Sequence, residues 1–211
     1  MNKLVILLLV ISAGSVMAAD QLLFTDSFKD GSLKGGTKWS SSKPKQPWSI
    51  KDNYISPSGK IIFDTVSTKD FKPIENGNFT LKFSVKFNSP EKNGNNRFSV
   101  MMRDSANSYS GYGATIAQGT SNNSNIEKIS SGKRSEILRM SSKNATFFVP
   151  GKAFEVVFAL NNGILTFSIA GKVVMKVENA ELKRFDCLQF QERCKTPEMT
   201  QAISDISLST N

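Results

Sequence analysis

Residues 154–177 read FEVVFAL-NNG-ILTFSI-AG-KVVMKV, and this stretch decides the fold. Three segments of alternating apolar residues are separated by two short turns, and such period-two alternation is typical of half-buried β-strands. The pair Asn162-Gly163 supplies the positive φ angles that a two-residue hairpin turn requires, and Ala170-Gly171 forms a second tight turn. The stretch therefore predicts a three-stranded antiparallel meander and an all-β protein.

Strands are predicted along the rest of the chain as well. The segment 79–87 alternates without a fault over nine residues, with Thr, Lys, Ser and Lys on its second face. The other predicted strands are 22–28, 48–50, 54–55, 60–63, 98–103, 111–118, 126–130, 136–140, 185–190 and 202–208. Regularly spaced strands without intervening helices predict two packed antiparallel sheets, a β-sandwich or jelly roll.

Residues 1–19 have the pattern of a secretory signal peptide. Lys3 provides the charged start, Leu4–Ile11 an apolar run, and Val16–Ala18 a small-residue cleavage site. The apolar run is shorter than the about 20 residues that a membrane-spanning helix needs, so no membrane insertion is expected. The sequence thus predicts a secreted or periplasmic protein whose residues 20–211 form a single β-sandwich domain.

The chain is basic, with 27 Lys and Arg against 18 Asp and Glu and a net charge of +9. Removal of the signal peptide deletes only Lys3 among the charged residues, which leaves 26 − 18 = +8. A positive excess favours an acidic polysaccharide or an anionic envelope surface as partner, while charge spread over all faces for solubility is the alternative. No nucleic-acid partner is expected.

Cys187 and Cys194 are the only cysteines, and in an exported protein a disulfide between them is the expectation. In one straight strand their Cα atoms would lie roughly 23 Å apart, whereas a disulfide requires less than about 7 Å. The chain must therefore turn back after Gln189 or Phe190, with Cys187 in a strand and Cys194 in a returning loop.

Several short motifs occur in order along the chain: FTDSF at 24–28, WSIKDNYI at 48–55, the two hairpins, LQ at 188–189 and ISDI at 203–206. Together they resemble the concanavalin A-like lectin and glucanase superfamily, with 3-keto-disaccharide hydrolase-like and laminin-G-like domains as the nearest groups. The resemblance implies a curved jelly-roll sandwich whose concave sheet receives saccharide.

The resemblance does not extend to catalytic motifs. Residues 111–116 read GYGATI, where the hydrolase-like group has Gly-Tyr-Glu-x-Gln-Ile. The Glu-x-Asp-x-x-Glu motif of laminarinase-type enzymes does not occur in the sequence.

The chain contains no histidine. This excludes Ser-His-Asp and Cys-His nucleophile systems and the commonest zinc ligand. A glycosidase that uses two carboxylates stays open, since Asp104, Glu127 and Glu136 lie where related folds place their groove. The alternative is that these are solvated surface acids balanced by neighbouring basic residues, so no catalytic residue is assigned.

A sugar ring has an apolar face and a polar rim, so a sugar-binding sandwich is expected to combine aromatic rings with hydrogen-bonding side chains. Trp39, Tyr109 and Tyr112 are expected to be exposed because their neighbours are Gly, Ser and Lys, whereas Trp48 is expected in the core. Arginines bind carboxylate or sulfate through a bidentate fork. The predicted ligand-binding residues are Trp39, Arg103, Tyr109, Tyr112, Arg134 and Gln189.

Asp26 and Asp205 are candidates for a structural calcium site. Related sandwiches bind calcium where the first and last strands meet, and calcium prefers carboxylate and carbonyl oxygens. The alternative is that each aspartate caps a turn. No cofactor is required under either interpretation.

These patterns predict an exported, non-catalytic carbohydrate-binding β-sandwich that recognises a poly- or oligosaccharide, with an anionic one favoured by the charge. Two alternatives stay open. One is a glycan-degrading enzyme of the same superfamily, either a glycoside hydrolase or a polysaccharide lyase. The other is an adhesion module that binds protein.

Overall fold

The chain folds into β-strands joined by turns and loops. The computed structural model describes residues 21–31, 39–41, 48–57, 63–75, 78–88, 97–117, 124–140, 149–193 and 201–210. The predicted signal peptide and Cys194 lie outside the described residues. Within these ranges, no helix is long and apolar enough to cross a membrane.

The strands form two large antiparallel sheets. The described ranges contain β1 (Gln21–Asp26), β2 (Ser40–Ser41), β3 (Trp48–Lys51), β4 (Tyr54–Pro57), β5 (Phe63–Thr68), β6 (Ile74–Glu75), β7 (Phe79–Phe87), β8 (Arg97–Asp104), β9 (Ser110–Ala117), β10 (Asn125–Ser130), β11 (Lys133–Arg139), β12 (Ala153–Asn161), β13 (Ile164–Ile169), β14 (Lys172–Val177), β15 (Arg184–Phe185), β16 (Cys187–Arg193) and β17 (Gln201–Thr210). Sheet A has the order β14-β13-β12-β7-β17-β4-β3, with β1 also paired to β17. Sheet B has the order β11-β10-β9-β8-β16-β5-β2, and β6 pairs with β15 separately. The predicted all-β, two-sheet antiparallel sandwich is confirmed.

A core rich in phenylalanine lies between the two sheets. The alternation predicted for 79–87 is confirmed. The five apolar residues of β7 are at most 1% exposed, and the residues between them point away from the core. The Phe83 ring lies 5.7 Å from the Phe98 ring and 5.3 Å from the Phe190 ring, both of sheet B. Full burial of one such side chain stabilises a fold by about 1.5–3 kcal/mol, so this layer holds the sheets together.

The two predicted hairpins are confirmed. Register pairs Asn161 with Ile164 and Ile169 with Lys172, so each turn has two residues. The first turn has φ angles of 49° at Asn162 and 77° at Gly163, and the second has 49° at Ala170 and 78° at Gly171. Positive φ at both central residues is the type I′ geometry, whose twist matches that of the flanking strands.

The predicted disulfide is wrong in this structure. β16 pairs with β8 without interruption from Cys187↔Arg103 to Arg193↔Arg97, so the chain does not turn back after Gln189 or Phe190. Cys187 is a buried free thiol at one end of this strand, and Arg193 lies at the other. The straight strand keeps its hydrogen bonds to β5 and β8 on both sides, and a return towards Cys187 would break them.

The thiol state of the protein can be tested directly. Burial raises the pKa of the Cys187 thiol to about 11, so the reactive thiolate is scarce at pH 8. We expect a Cys194→Ser variant to react slowly with iodoacetamide when folded and rapidly in guanidinium chloride, as followed by intact mass. The unreduced full-length chain should titrate two thiols after denaturation. A count of zero free thiols would show that the two cysteines form a disulfide.

The second hairpin offers a stability prediction. Ala170 has a positive φ of 49°, which Asn adopts at lower cost than Ala or a β-branched residue. We expect Ala170→Asn to raise the free energy of unfolding by about 0.5–1 kcal/mol in urea titrations. The matched Ala170→Val variant should lower it. Equal effects of Asn and Val would contradict the turn assignment.

Candidate functional site

The face of sheet B that points away from the core carries polar side chains. In β8, Phe98, Val100 and Met102 are buried in the core, so the alternating residues Arg97 and Arg103 face the opposite side. Register places Gln189 beside Met101, Gln191 beside Ser99 and Arg193 beside Arg97. We call this surface the polar face of sheet B, and its polar residues are Arg97, Ser99, Arg103, Thr115, Asn125, Glu127, Arg134, Gln189, Gln191 and Arg193.

Three predicted site residues meet on this face. Arg103 donates from Nη1 to Oε1 of Gln189 at 2.9 Å and from Nε to the carbonyl oxygen of Tyr109 at 2.8 Å. The Arg103 guanidinium also lies 5.0 Å from the centre of the Tyr109 ring, and Lys69 Nζ lies 5.6 Å from it. Tyr109 is 39% exposed. The contacts therefore hold one partly exposed aromatic ring beside an arginine and an amide.

A fourth predicted residue, Arg134, lies on the edge strand β11 of sheet B, and its side chain reaches across the polar face to β16. Arg134 Nε is paired with Glu127, and Nη1 donates to Oε1 of Gln191 at 2.7 Å. β11 and β16 are four strand spacings apart in sheet B. On a flat sheet that separation is roughly 19 Å, which exceeds the combined reach of an Arg side chain of about 7 Å and a Gln of about 5 Å. Sheet B therefore curves towards its polar face.

A cleft of about 100 Å³ lies within this curve. Its lining residues are Arg97, Ser99, Thr115, Asn125, Glu127, Arg134, Gln191 and Arg193. The Ser99 and Thr115 hydroxyls lie 2.7 Å apart, and Asn125 donates from Nδ2 to Glu136 at 3.0 Å. Oδ1 of Asn125 is buried and accepts no hydrogen bond from the described residues. The cleft can thus donate and accept hydrogen bonds at several closely spaced points.

Trp39 and Tyr112 are not on the polar face, and the expected exposure of both is wrong. Trp39 is 9% exposed, stacks on Phe190 with ring centres 5.8 Å apart, and donates from Nε1 to Asp26 at 2.9 Å. Tyr112 is 5% exposed, and its hydroxyl accepts the Glu181 backbone N–H at 3.3 Å. Polar neighbours in sequence predicted exposure, but strand alternation turns Tyr112 inwards.

Several residues of the polar face were missed by the sequence analysis. Ser99, Thr115 and Gln191 occupy the outward positions of β8, β9 and β16, and alternation could have identified the first two. Arg97 lies one residue before the predicted strand, and Arg193 lies beyond the turn that the predicted disulfide required. Because the predicted disulfide required a turn before Arg193, the sequence did not indicate that Arg193 belongs to the strand.

The candidate catalytic acids are all paired with arginine. Glu127 is held by Arg134, and Glu136 accepts from Arg139 Nη2 at 2.9 Å. Hydrogen bonds from Arg139 and Asn125 hold the pKa of Glu136 below its usual value. Asp104 accepts from Arg184 at 2.8 Å. A general acid needs a raised pKa, so Glu136 is poorly suited to proton donation at neutral pH.

The predicted calcium ligands do not form a calcium site in the described residues. β1 and β17 pair as expected, with Asp26 opposite Ile206. However, the two carboxylate oxygens of Asp26 accept N–H groups of Phe28 and Trp39 at 2.8 and 2.9 Å. Asp205 is exposed in a bulge of β17 with a φ of 50°, and it accepts from Ser204 Oγ at 2.9 Å. Among the residues described, no three His, Cys, Asp or Glu side chains cluster as a metal would require.

Comparison with known proteins identifies the fold. No family model and no curated protein matches the sequence. Among solved structures, the carbohydrate-binding module CBM66 from Bacillus subtilis aligns with a TM-score of 0.58 and 12% identity, over 81% of this chain and 94% of that one. The VIP36 exoplasmic/lumenal domain in its Ca²⁺/Man3GlcNAc-bound form aligns with a TM-score of 0.63 and 10% identity, over 90% of this chain and 91% of that one. The cellulose-induced protein Cip1 aligns with a TM-score of 0.54 and 14% identity, over 88% of this chain and 96% of that one.

These similarities place the chain in one structural class. It has the two-sheet antiparallel jelly-roll fold of these solved structures. At 10–14% identity, the similarity establishes the fold alone.

The calcium interpretation can be tested by chelation. Because Asp26 already accepts two N–H groups, we expect EDTA to leave the midpoint of thermal unfolding unchanged. Asp26→Asn should lower the midpoint in the same way with and without EDTA, since it removes an acceptor of the Trp39 indole. A fall of the midpoint with EDTA that the Asp26→Asn variant abolishes would contradict this expectation and support the calcium interpretation.

Proposed function

We propose that the protein is exported and binds a poly- or oligosaccharide on the polar face of sheet B, and that it does so without chemical turnover. The observation that carries the proposal is the group formed by Arg103, Tyr109 and Gln189. It combines an exposed part of an aromatic ring with fixed hydrogen-bonding groups on a curved sheet. The net positive charge favours an anionic saccharide.

Preorganisation supports this interpretation. Sugar hydroxyls exchange hydrogen bonds to water for hydrogen bonds to protein, so affinity depends on groups that are already ordered. Arg103 is fixed by Gln189 and by the Tyr109 carbonyl, and Arg134 is fixed by Glu127 and Gln191. Binding would therefore immobilise few additional side chains.

The structural neighbours also support a saccharide partner. CBM66 is described as a carbohydrate-binding module, Emp47p as a carbohydrate recognition domain, and VIP36 was solved with mannose-containing ligands. Export is supported by the signal-like residues 1–19. The pairing of Glu127, Glu136 and Asp104 with arginines favours binding over glycan cleavage.

Variants of two residues test the proposed site. We expect Tyr109→Ala and Gln189→Ala each to weaken binding to the best ligand of a glycan array about tenfold, as measured by isothermal titration calorimetry. The matched control is Tyr54→Ala, because Tyr54 forms a similar cation–π pair with Lys86 on sheet A, with Nζ 4.3 Å from the ring centre. This control should bind normally.

Three outcomes would contradict the proposal. Equal weakening by Tyr54→Ala would place the site elsewhere. Release of reducing ends from a bound polysaccharide would make the protein an enzyme. No binding to any glycan of the array would overturn saccharide recognition itself.

A further inference from the structure

The polar face of sheet B continues past Gln189 to the edge of the sheet. In β5, Val66 is buried in the core, so its neighbour Ser67 points to the polar face. Strand register places Ser67 opposite Gln189, and Ser40 of the edge strand β2 opposite Ser67. Gln189, Ser67 and Ser40 therefore form one row of polar side chains that crosses β16, β5 and β2.

A second cleft, of about 370 Å³, lies at this end of the row, and we call it the β5 cleft. Its lining residues are Ser40, Ser67, Thr68, Lys69 and Asp70. The Thr68 hydroxyl accepts the backbone N–H of Asp70 at 3.1 Å, at the point where β5 ends. This bond fixes the backbone that carries Lys69 and Asp70, and both residues are exposed.

Lys69 joins the β5 cleft to the group formed by Arg103, Tyr109 and Gln189. Its Nζ lies 5.6 Å from the centre of the Tyr109 ring, and the same residue lines the cleft. Gln189 accepts from Arg103 and lies opposite Ser67 of the cleft. From β8 to β2 there are three strand spacings, which is roughly 14 Å across the sheet. A ligand that contacts both places is therefore longer than one sugar ring.

The chemistry of the β5 cleft suits sugar hydroxyls. A sugar hydroxyl both donates and accepts hydrogen bonds, and the cleft offers groups of each kind. The hydroxyls of Ser40 and Ser67 can do either, the Lys69 ammonium donates, and the Asp70 carboxylate accepts. One lysine and one aspartate line the cleft, so their charges balance. An oxyanion can only accept, and it would be repelled by Asp70.

We propose that the β5 cleft is a second sugar subsite, and that the protein binds a segment of a linear glycan that crosses β8, β16, β5 and β2. One ring of the glycan lies beside Tyr109, and a following ring places its hydroxyls against Ser67 and Asp70. This inference rests on the proposed function, because it extends the same site and names the saccharide as an extended chain instead of a single terminal residue.

Oligosaccharides of graded length test the second subsite. The probes are linear cello-, laminari-, xylo-, manno- and galacturono-oligosaccharides of two to six residues, printed on one array together with branched glycans. Each series that binds is then titrated against the protein by calorimetry. We expect the affinity to rise at least tenfold from the disaccharide to the tetrasaccharide, because the added rings form hydrogen bonds in the β5 cleft.

Two variants locate the subsite. Ser67→Ala and Asp70→Ala should each weaken binding of the tetrasaccharide about three- to tenfold, the effect of one lost hydrogen bond, and change binding of the disaccharide less than about twofold. The matched controls are Ser207→Ala and Glu155→Ala on strands of sheet A, which should bind every length normally. Glu155→Ala removes one negative charge, as Asp70→Ala does, so it separates a direct contact from a change in net charge.

Each outcome decides the inference. A disaccharide that binds as tightly as the hexasaccharide in every binding series would overturn the second subsite and leave the proposed function intact. Equal effects of the cleft variants and their controls would remove the β5 cleft from the site. Binding confined to branched glycans would overturn recognition of a linear chain. No binding to any glycan of the array would overturn both the inference and the proposed function.

Discussion

Neighbouring residues of a β-strand point to opposite sides of the sheet, and the rest of this structure depends on that constraint. In β8, it places Phe98 and Val100 against the phenylalanine core and Arg97 and Ser99 on the polar face. A one-residue slip of register would exchange the two sets and bury arginine in the core. The packing that stabilises the sandwich therefore also fixes the positions of the side chains on the polar face.

The ion pairs of the polar face contribute geometry more than stability. Exposed pairs typically stabilise a protein by less than about 1 kcal/mol, and Arg134 and Arg139 lie in such settings. Their larger effect is positional. Arg134 links β11 to β16 through Gln191 across three intervening strands, so it connects the two sides of the curved sheet. A ligand on this face would meet guanidinium groups whose orientation is already set.

Local features of the fold could be predicted from sequence, whereas contacts between distant segments could not. The turns at Asn162-Gly163 and Ala170-Gly171 and the strand 79–87 depend on local backbone chemistry and alternation, and all were predicted correctly. The predicted disulfide is wrong because residues 187–193 form a straight strand that is hydrogen-bonded on both sides, so the chain does not turn back towards Cys187. Arg103, Tyr109 and Gln189 were chosen individually, and only the pairing of β8 with β16 brings them together. The opposition of Arg97 and Arg193 depends on that same register, which joins segments about 90 residues apart in sequence.

The electrostatics of the polar face favour recognition over proton transfer. A glycosidase needs one carboxyl group that stays protonated at neutral pH, and burial away from positive charge produces that state. Here Glu127 on the face and Glu136 on the neighbouring strand β11 each lie beside a guanidinium, and the pKa of Glu136 is lowered by its hydrogen bonds to Arg139 and Asn125. A positive field of this kind would also stabilise an anionic ligand. The sequence also contains no histidine that could replace them as acid or base, and these electrostatics support the proposed binding of a saccharide.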